Sequence, residues 1–290
     1  TSASLGTAIV SLSLAALGYG VWALVFGALI GSFIQLCLCW IYSTWNPVFK
    51  FNKEIFFKMF NFSKWILFEG VFAWLLAWGD SIAVGHMMNP EELGKYRIGN
   101  AIIILISNIV FTPIIPIALS YFSRIKTNKE ELRNSYEKLT GLIAYIAVPI
   151  AVMLVLLSHE FVFVVLGEKW VGVEIIIIIM GIRFGFGWLV GLNSTVFTAI
   201  GRPDVNSKLL VIITTFTLPI YFFSAEQGIL FFLYARLGTS ILDNMGNYII
   251  AKKYLKINLK MYFRILKLPL LSGFGMWVIV TLFQQLIDGY

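Results

Sequence analysis

EIIIIIMGIRFGFGWLVGLNSTVFTA, residues 174–199, decides how this chain is read. Between Glu174 and Ala199 only Arg183 is charged, and a helix needs roughly 20 apolar residues to cross a hydrocarbon core about 30 Å thick. The run is one of nine. The others lie near 2–17, 20–43, 65–88, 98–122, 139–158, 209–224, 228–250 and 268–287. The composition agrees: 59% of the 290 residues are hydrophobic and 13% charged, with 25 Phe, 12 Tyr and 9 Trp and a mean hydropathy of +0.86. Soluble domains run at about 45–50% apolar and 25% charged. A disordered chain, a secreted disulfide scaffold and a cytosolic enzyme are excluded. Period-two alternation is absent, which argues against a β-barrel. The expected fold class is all-α, a polytopic membrane helix bundle. The first residues already read as a span and no initiator Met precedes them, so the chain is expected to be a piece of a longer protein.

The basic residues set an orientation. Alternate loops carry 17 of the 22 Lys and Arg side chains, from Lys50–Lys64, Arg124–Lys138, Arg202–Lys208 and Lys252–Lys267. The opposite loops carry Lys95, Arg97 and Lys169, and the remaining two lie inside spans. Such a bias places the basic loops in the cytoplasm. The net charge of +7 therefore points to anionic membrane lipids rather than nucleic acid. Segment 252–267, with basic residues every three or four positions and Leu255, Leu259, Tyr262 and Leu266 on another face, reads as an interfacial amphipathic helix. Segment 47–64 reads similarly. Thr127 and Glu130 have capping-box spacing, which predicts a short helix before the fifth span. Tight turns at 18–20 and 225–227 predict two helical hairpins. Cys37 and Cys39, two residues apart, point to different sides of a helix and form neither a disulfide nor a metal pair.

Five ionisable side chains fall within spans: Glu69, Asp80, Arg183, Arg236 and Asp243. Facing lipid, each would cost about 2.5–3.5 kcal/mol. They are expected to face one another or a water-filled cavity. At about 1.5 Å per residue, Asp80, Arg183 and Arg236 each lie roughly 12–14 Å from the outer ends of their spans, near the midplane. Two readings follow. In one, Asp80 pairs with an arginine as an interhelical lock. In the other, Arg183 and Arg236 offer charge to an anionic substrate while Asp80, Asp243 and Glu69 bind a coupling cation or form charge pairs. Pro113 and Pro116 interrupt the fourth span and predict a kink that serves as a hinge. His86 and His159 read as headgroup-level residues. Phosphate-cradling, zinc-protease and nucleophile-elbow motifs are absent, and no outer loop has room for a catalytic site, so the chain reads as a transporter rather than an enzyme.

Five segments carry a resemblance: LGYGVWALVFGALIGS (17–32), WGDSIAVGHMMNPEELGKYRIGNAI (78–102), PIALSYFSRIKTNKEELRNSYEKL (116–139), VLGEKWVGVEIII (165–177) and AIGRPD (199–204). In order and spacing the chain resembles the polysaccharide-export, Wzx-like branch of the MOP flippase superfamily, with Asp80, Gly85, Gly94 and Tyr96 in matching places. The resemblance implies a MATE-like two-lobe transporter. Residues 1–64 would then supply the last two spans of an N-terminal lobe plus a cytoplasmic linker, and 65–290 the C-terminal lobe. It also implies a lipid-linked oligosaccharide, carried on undecaprenyl pyrophosphate, moved from inner to outer leaflet by alternating access for O-antigen, capsule or exopolysaccharide synthesis. The location would be the bacterial inner membrane, with an envelope glycan polymerase complex as a further partner. No cofactor or metal is implied. A cation-coupled multidrug exporter of the same superfamily and a membrane glycan polymerase or ligase are the alternatives.

Overall fold

The computed structural model describes residues 10–16, 18–20, 22–43 and 51–288. Most of the first expected span and the segment 44–50, Lys50 included, lie outside the described residues. The described residues are helical, without strands. They divide into two compact units, residues 1–56 and 57–290.

In the first unit, residues 10–16 are helical and turn through Gly18 (φ 84°) and Gly20 (φ 53°) into α1, Trp22–Tyr42. Left-handed backbone of this kind suits glycine. A Cβ on Gly27 would overlap the Ser11 side chain, so the two arms of this hairpin approach closely.

The second unit begins within α2, Lys53–Met87. The basic stretch 53–64 is part of this one helix and runs into the membrane segment without a break. Asn89 caps α3, Pro90–Val110, accepting from the Glu92 N–H at 2.8 Å. The fourth expected span is interrupted: α3 ends at Val110, and α4, Ile114–Ile125, starts after Pro113. Pro113 has no N–H to continue the ladder, and Pro116 sits in the first turn of α4, where none is needed. The cap of α5, Lys129–Leu156, is Asn128 rather than Thr127, with the Glu131 N–H at 3.2 Å from its Oδ1. No separate short helix precedes the span; α5 is continuous. Residues 158–170 form an irregular corner with one π-turn, Val162–Leu166, before Gly167 (φ 88°).

Residues 174–199 do not form one helix. α6, Glu174–Gly187, stops, the chain loops through 188–192, and α7, Asn193–Ala199, resumes. Three glycines between 185 and 191 lower helix propensity by about 1 kcal/mol each relative to alanine, which favours a break here. Then come α8, Pro203–Glu226, α9, Ile229–Leu255, and α10, Leu259–Asp288. Gly228 (φ 100°) turns α8 into α9, the second expected hairpin. The amphipathic segment expected at 252–267 is instead a corner between two long helices: Lys256 adopts the left-handed conformation (φ 55°) and ends α9. Among the described residues, six helices are long and apolar enough to cross a membrane, including α2, α3, α5, α8 and most of α10. α9 has the length, but its polar residues make it less apolar. The nine expected spans thus become long helices plus two broken ones, and the chain is a multi-pass membrane protein.

α6 is central, packing on α3, α5 and α9; α5 packs on α10, α8 on α9, and α4 on α7. Close approach of α5 and α6 depends on Gly181 and Gly185, because a Cβ on Gly185 would lie 2.8 Å from the Ala151 Cβ. Gly185→Ala is expected to destabilise the bundle by about 1–3 kcal/mol through overpacking. Gly187→Ala, whose Cβ meets nothing within 4 Å, should be neutral or slightly stabilising. Unfolding of the detergent-solubilised protein, followed by denaturant titration, checks both. The two breaks meet: the Phe111 ring, at the end of α3, stacks on Trp188, at the end of α6, with centroids 4.1 Å apart.

Candidate functional site

The five ionisable residues separate into three groups, each set by which helix faces which. The first joins α2, α3 and α9. Asp80 is 1% exposed, and its Oδ2 accepts from the Tyr96 hydroxyl at 2.7 Å and from Arg236 Nη1 at 2.5 Å. Oδ1 accepts from the Ser81 hydroxyl at 2.9 Å and from the Ser81 N–H. The Arg236 guanidinium lies 5.7 Å from the Tyr96 ring centre and 5.3 Å from that of Tyr221. Phe232 packs edge-on against both rings. This is a saturated carboxylate and a 4%-exposed arginine enclosed by aromatics. A buried charge of this kind is tolerated only with a partner and further hydrogen bonds. The interhelical lock weighed from the sequence forms here, with Arg236.

The second group ties α2 to α7 and α8. Glu69 Oε1 accepts from Ser194 Oγ at 2.5 Å and Asn206 Nδ2 at 2.7 Å. Ser207 Oγ, nearby on α8, donates to the Trp65 carbonyl at 2.7 Å. Lys208 lies over the Trp65 ring at 5.0 Å, and Arg202 over Tyr254 at 5.4 Å. Arg202 and Asp204 pair through two hydrogen bonds of 2.8 and 3.1 Å, which hold the Arg202 guanidinium above its ordinary pKa. These contacts gather the basic ends of α2, α8 and α9 at one end of the bundle.

The third group is a hydrogen-bonded series between the other two. Tyr262 on α10 meets the Tyr136 hydroxyl on α5 at 3.3 Å, and Tyr136 donates to Asn193 Oδ1 at 2.7 Å. Asn193 Nδ2, on α7, donates to the Asn247 carbonyl at 3.0 Å and to its Oδ1 at 3.1 Å. Asn247 Nδ2 donates to the Asp243 carbonyl at 3.1 Å and to its Oδ1 at 2.9 Å. Arg183 on α6 lies within Coulombic reach of both Asp243 and Tyr221. Among the described residues it makes no ion pair and no hydrogen bond, and its Nε is buried without a partner. The Nε of Arg236 is likewise unpartnered, but that guanidinium already has Asp80. An apolar groove of about 420 Å³ flanks this series between α6, α9 and α10, bordered by Ile182, Phe186, Tyr248 and Tyr262.

Asp80 and Arg236 are thus brought together, whereas Glu69, eleven residues along the same helix from Asp80, binds different helices. Arg183 and Asp243 approach one another without touching. Pro113 lies at a helix break, while Pro116 is exposed inside α4. His86 and His159 are exposed. Tyr96 entered the sequence reading only as part of the family resemblance, and Tyr136, Asn193, Tyr221 and Asn247 escaped it. Asn193 and Asn247 carried the detectable signal, since an amide inside an apolar span seeks a partner on another helix.

A family model described as "Polysaccharide biosynthesis protein" matches residues 1–174. A relative from Bacillus subtilis (strain 168), the teichuronic acid biosynthesis protein TuaB, is 25% identical over 241 residues, covering 81% of this chain and 49% of its own length. The amylovoran biosynthesis protein AmsL of Erwinia amylovora is 26% identical over 189 residues, covering 64% of this chain and 49% of its own. The chain therefore spans about half the length of the curated relatives it matches. No solved structure matches it. The family match covers more than half of an all-helical, multi-pass chain, and two polysaccharide biosynthesis proteins match it as well; the chain belongs to the polysaccharide biosynthesis protein family.

Proposed function

We propose that the chain is part of a flippase that moves a lipid-linked oligosaccharide diphosphate from the inner to the outer leaflet, with Arg183 as the contact for the diphosphate. Residues 65–290 act as a C-terminal lobe and residues 1–64 as the end of an N-terminal lobe with its linker. The protein sits in the bacterial inner membrane with its basic loops in the cytoplasm against anionic lipids. It supplies glycan to an envelope polymerase and is a transporter, not an enzyme.

The observation that carries this reading is the unpaired Arg183. Its Nε is buried without a partner, no carboxylate among the described residues reaches it as a direct ion pair, and it lies one turn before the break between α6 and α7. An ionisable group within a membrane helix is costly, and one without a protein partner calls for an external one. Irregular backbone at membrane depth is tolerated where it is buried in protein or lines a hydrated cavity. A guanidinium binds a phosphate through a planar pair of donors, and a diphosphate matches its charge. The neighbouring groove suits a prenyl chain. Arg236 takes a different part: with Asp80 it positions α9 against α2 and α3. Asp80, with all its donors in place, serves the same pair rather than a coupling ion. Pro113 acts as the hinge between α3 and α4.

Complementation of a strain lacking its own exporter tests this. Arg183→Gln, in the full-length protein at unchanged membrane level, should lower surface glycan about a hundredfold or more. Lipid-linked intermediate should accumulate on the inner leaflet. Arg183→Lys keeps the charge without the paired donors and should retain part of the activity. Normal export by Arg183→Gln rejects the assignment.

A further inference from the structure

The series ending at Asp243 has a direction, and backbone carbonyls fix it. Asn193 Nδ2 faces the carbonyl of Asn247, and Asn247 Nδ2 faces the carbonyl of Asp243. Turning either amide over would set oxygen against oxygen, so both must present nitrogen toward Asp243. Tyr136 then spends its proton on Asn193 Oδ1, which leaves Tyr262 as the donor to Tyr136. Donors from α10, α5, α7 and α9 therefore point along one path, and the last meets a carboxylate oxygen of Asp243 at 2.9 Å. Aligned hydrogen bonds polarise one another, and hydrogen bonds to a carboxylate favour its charged form. α6 packs on α9, and Ile182 shares the wall of one groove with Ser240 and Asn244, so Arg183 and Asp243, the adjoining residues of the two helices, are neighbours across this contact, with the buried Tyr221 of α8 close to both. No direct hydrogen bond or ion pair joins Arg183 to Asp243, so the arginine's donors are not used up by the carboxylate.

We propose that Asp243 is a built-in counter-ion for Arg183: an anion held in place by a one-way chain of hydrogen bonds across four helices, which the arriving diphosphate displaces electrostatically and which speeds its release. This rests on the reading of Arg183 as the diphosphate contact. An arginine alone at this depth would hold a diphosphate tightly and turn over slowly. A fixed negative charge within Coulombic range weakens that hold. Tyr136, Asn193 and Asn247 are positioning residues that keep the charge on Asp243 without touching substrate.

The prediction reverses the usual sign of a mutation at a binding site. Farnesyl diphosphate is titrated into the full chain in phosphatidylcholine nanodiscs at fixed ionic strength, with farnesol as the uncharged control. Asp243→Asn should bind the diphosphate about tenfold more tightly than the parent, because one opposing charge is gone. Asp243→Glu keeps the charge and should bind like the parent, and Arg183→Gln should lose the difference between diphosphate and alcohol. Export by Asp243→Asn should fall even as binding tightens. Unchanged or weaker binding by Asp243→Asn, with Arg183→Gln still inactive, overturns the counter-ion while leaving Arg183 in place. Equal diphosphate binding by Arg183→Gln and the parent overturns both. A monodisperse gel-filtration profile for each variant separates these results from misfolding, and Asp243→Glu binding like Asp243→Asn also overturns the proposal.

Discussion

Arg236→Met destabilises the bundle by about 3–5 kcal/mol, the usual result of stranding one member of a buried ion pair. The carboxylate of Asp80 is then left 1% exposed with the Tyr96 and Ser81 donors and no counter-charge. Asp80→Leu costs a similar amount, leaving the guanidinium between two tyrosine rings with no anion. The double variant Asp80→Leu with Arg236→Met should recover most of the loss, because apolar side chains of similar volume replace such pairs at little cost. Denaturant unfolding in detergent measures all three. The same double variant also separates the two roles considered for Arg236. Restored stability with restored glycan export assigns it to positioning, whereas restored stability without export assigns it to substrate.

Asn193→Leu is the second large effect. Asn193 is 1% exposed and holds α5 to α9 through Tyr136 on one side and Asn247 on the other. Leucine fits an apolar interior but takes the acceptor from the Tyr136 proton, leaving that hydroxyl with Tyr262 alone, and takes the donor from Asn247 Oδ1. At about 1–3 kcal/mol for each buried group left unsatisfied, the expected loss is about 3 kcal/mol in total. Asn193→Asp keeps Oδ1 for Tyr136 but sets a buried carboxylate oxygen against two oxygens of Asn247 with no cation, so it should fall below leucine. Unfolding midpoints in one detergent rank the three.

The membrane class and the hairpins were legible because they depend on composition and on turn residues along the chain. Partners were not. Glu69 and Asp80 share a face by spacing, yet Gly79 lets α8 approach α2 closely, with a Cβ there falling 2.3 Å from Leu218, and Ser194 and Asn206 reach Glu69 from other helices. Helix spacing predicts which residues sit together on one rod but says nothing about the rod opposite. Pro113 announced the break after α3 because proline removes an N–H. The break after Gly187 was hidden, since glycines are frequent in intact membrane helices. Thr127 and Asn128 both cap well, and only the backbone decides between neighbours.

The stacking of Phe111 on Trp188 places both interruptions side by side in the packed bundle. α5 and α8 stay helical through the interior prolines Pro149 and Pro219, while the α3–α4 and α6–α7 pairs are jointed. Torque applied to one half of a jointed pair would fall on the few backbone dihedrals that the Phe111–Trp188 contact covers. The bundle thus has long continuous helices beside two paired knuckles, and Arg183 lies on the segment just before one of them.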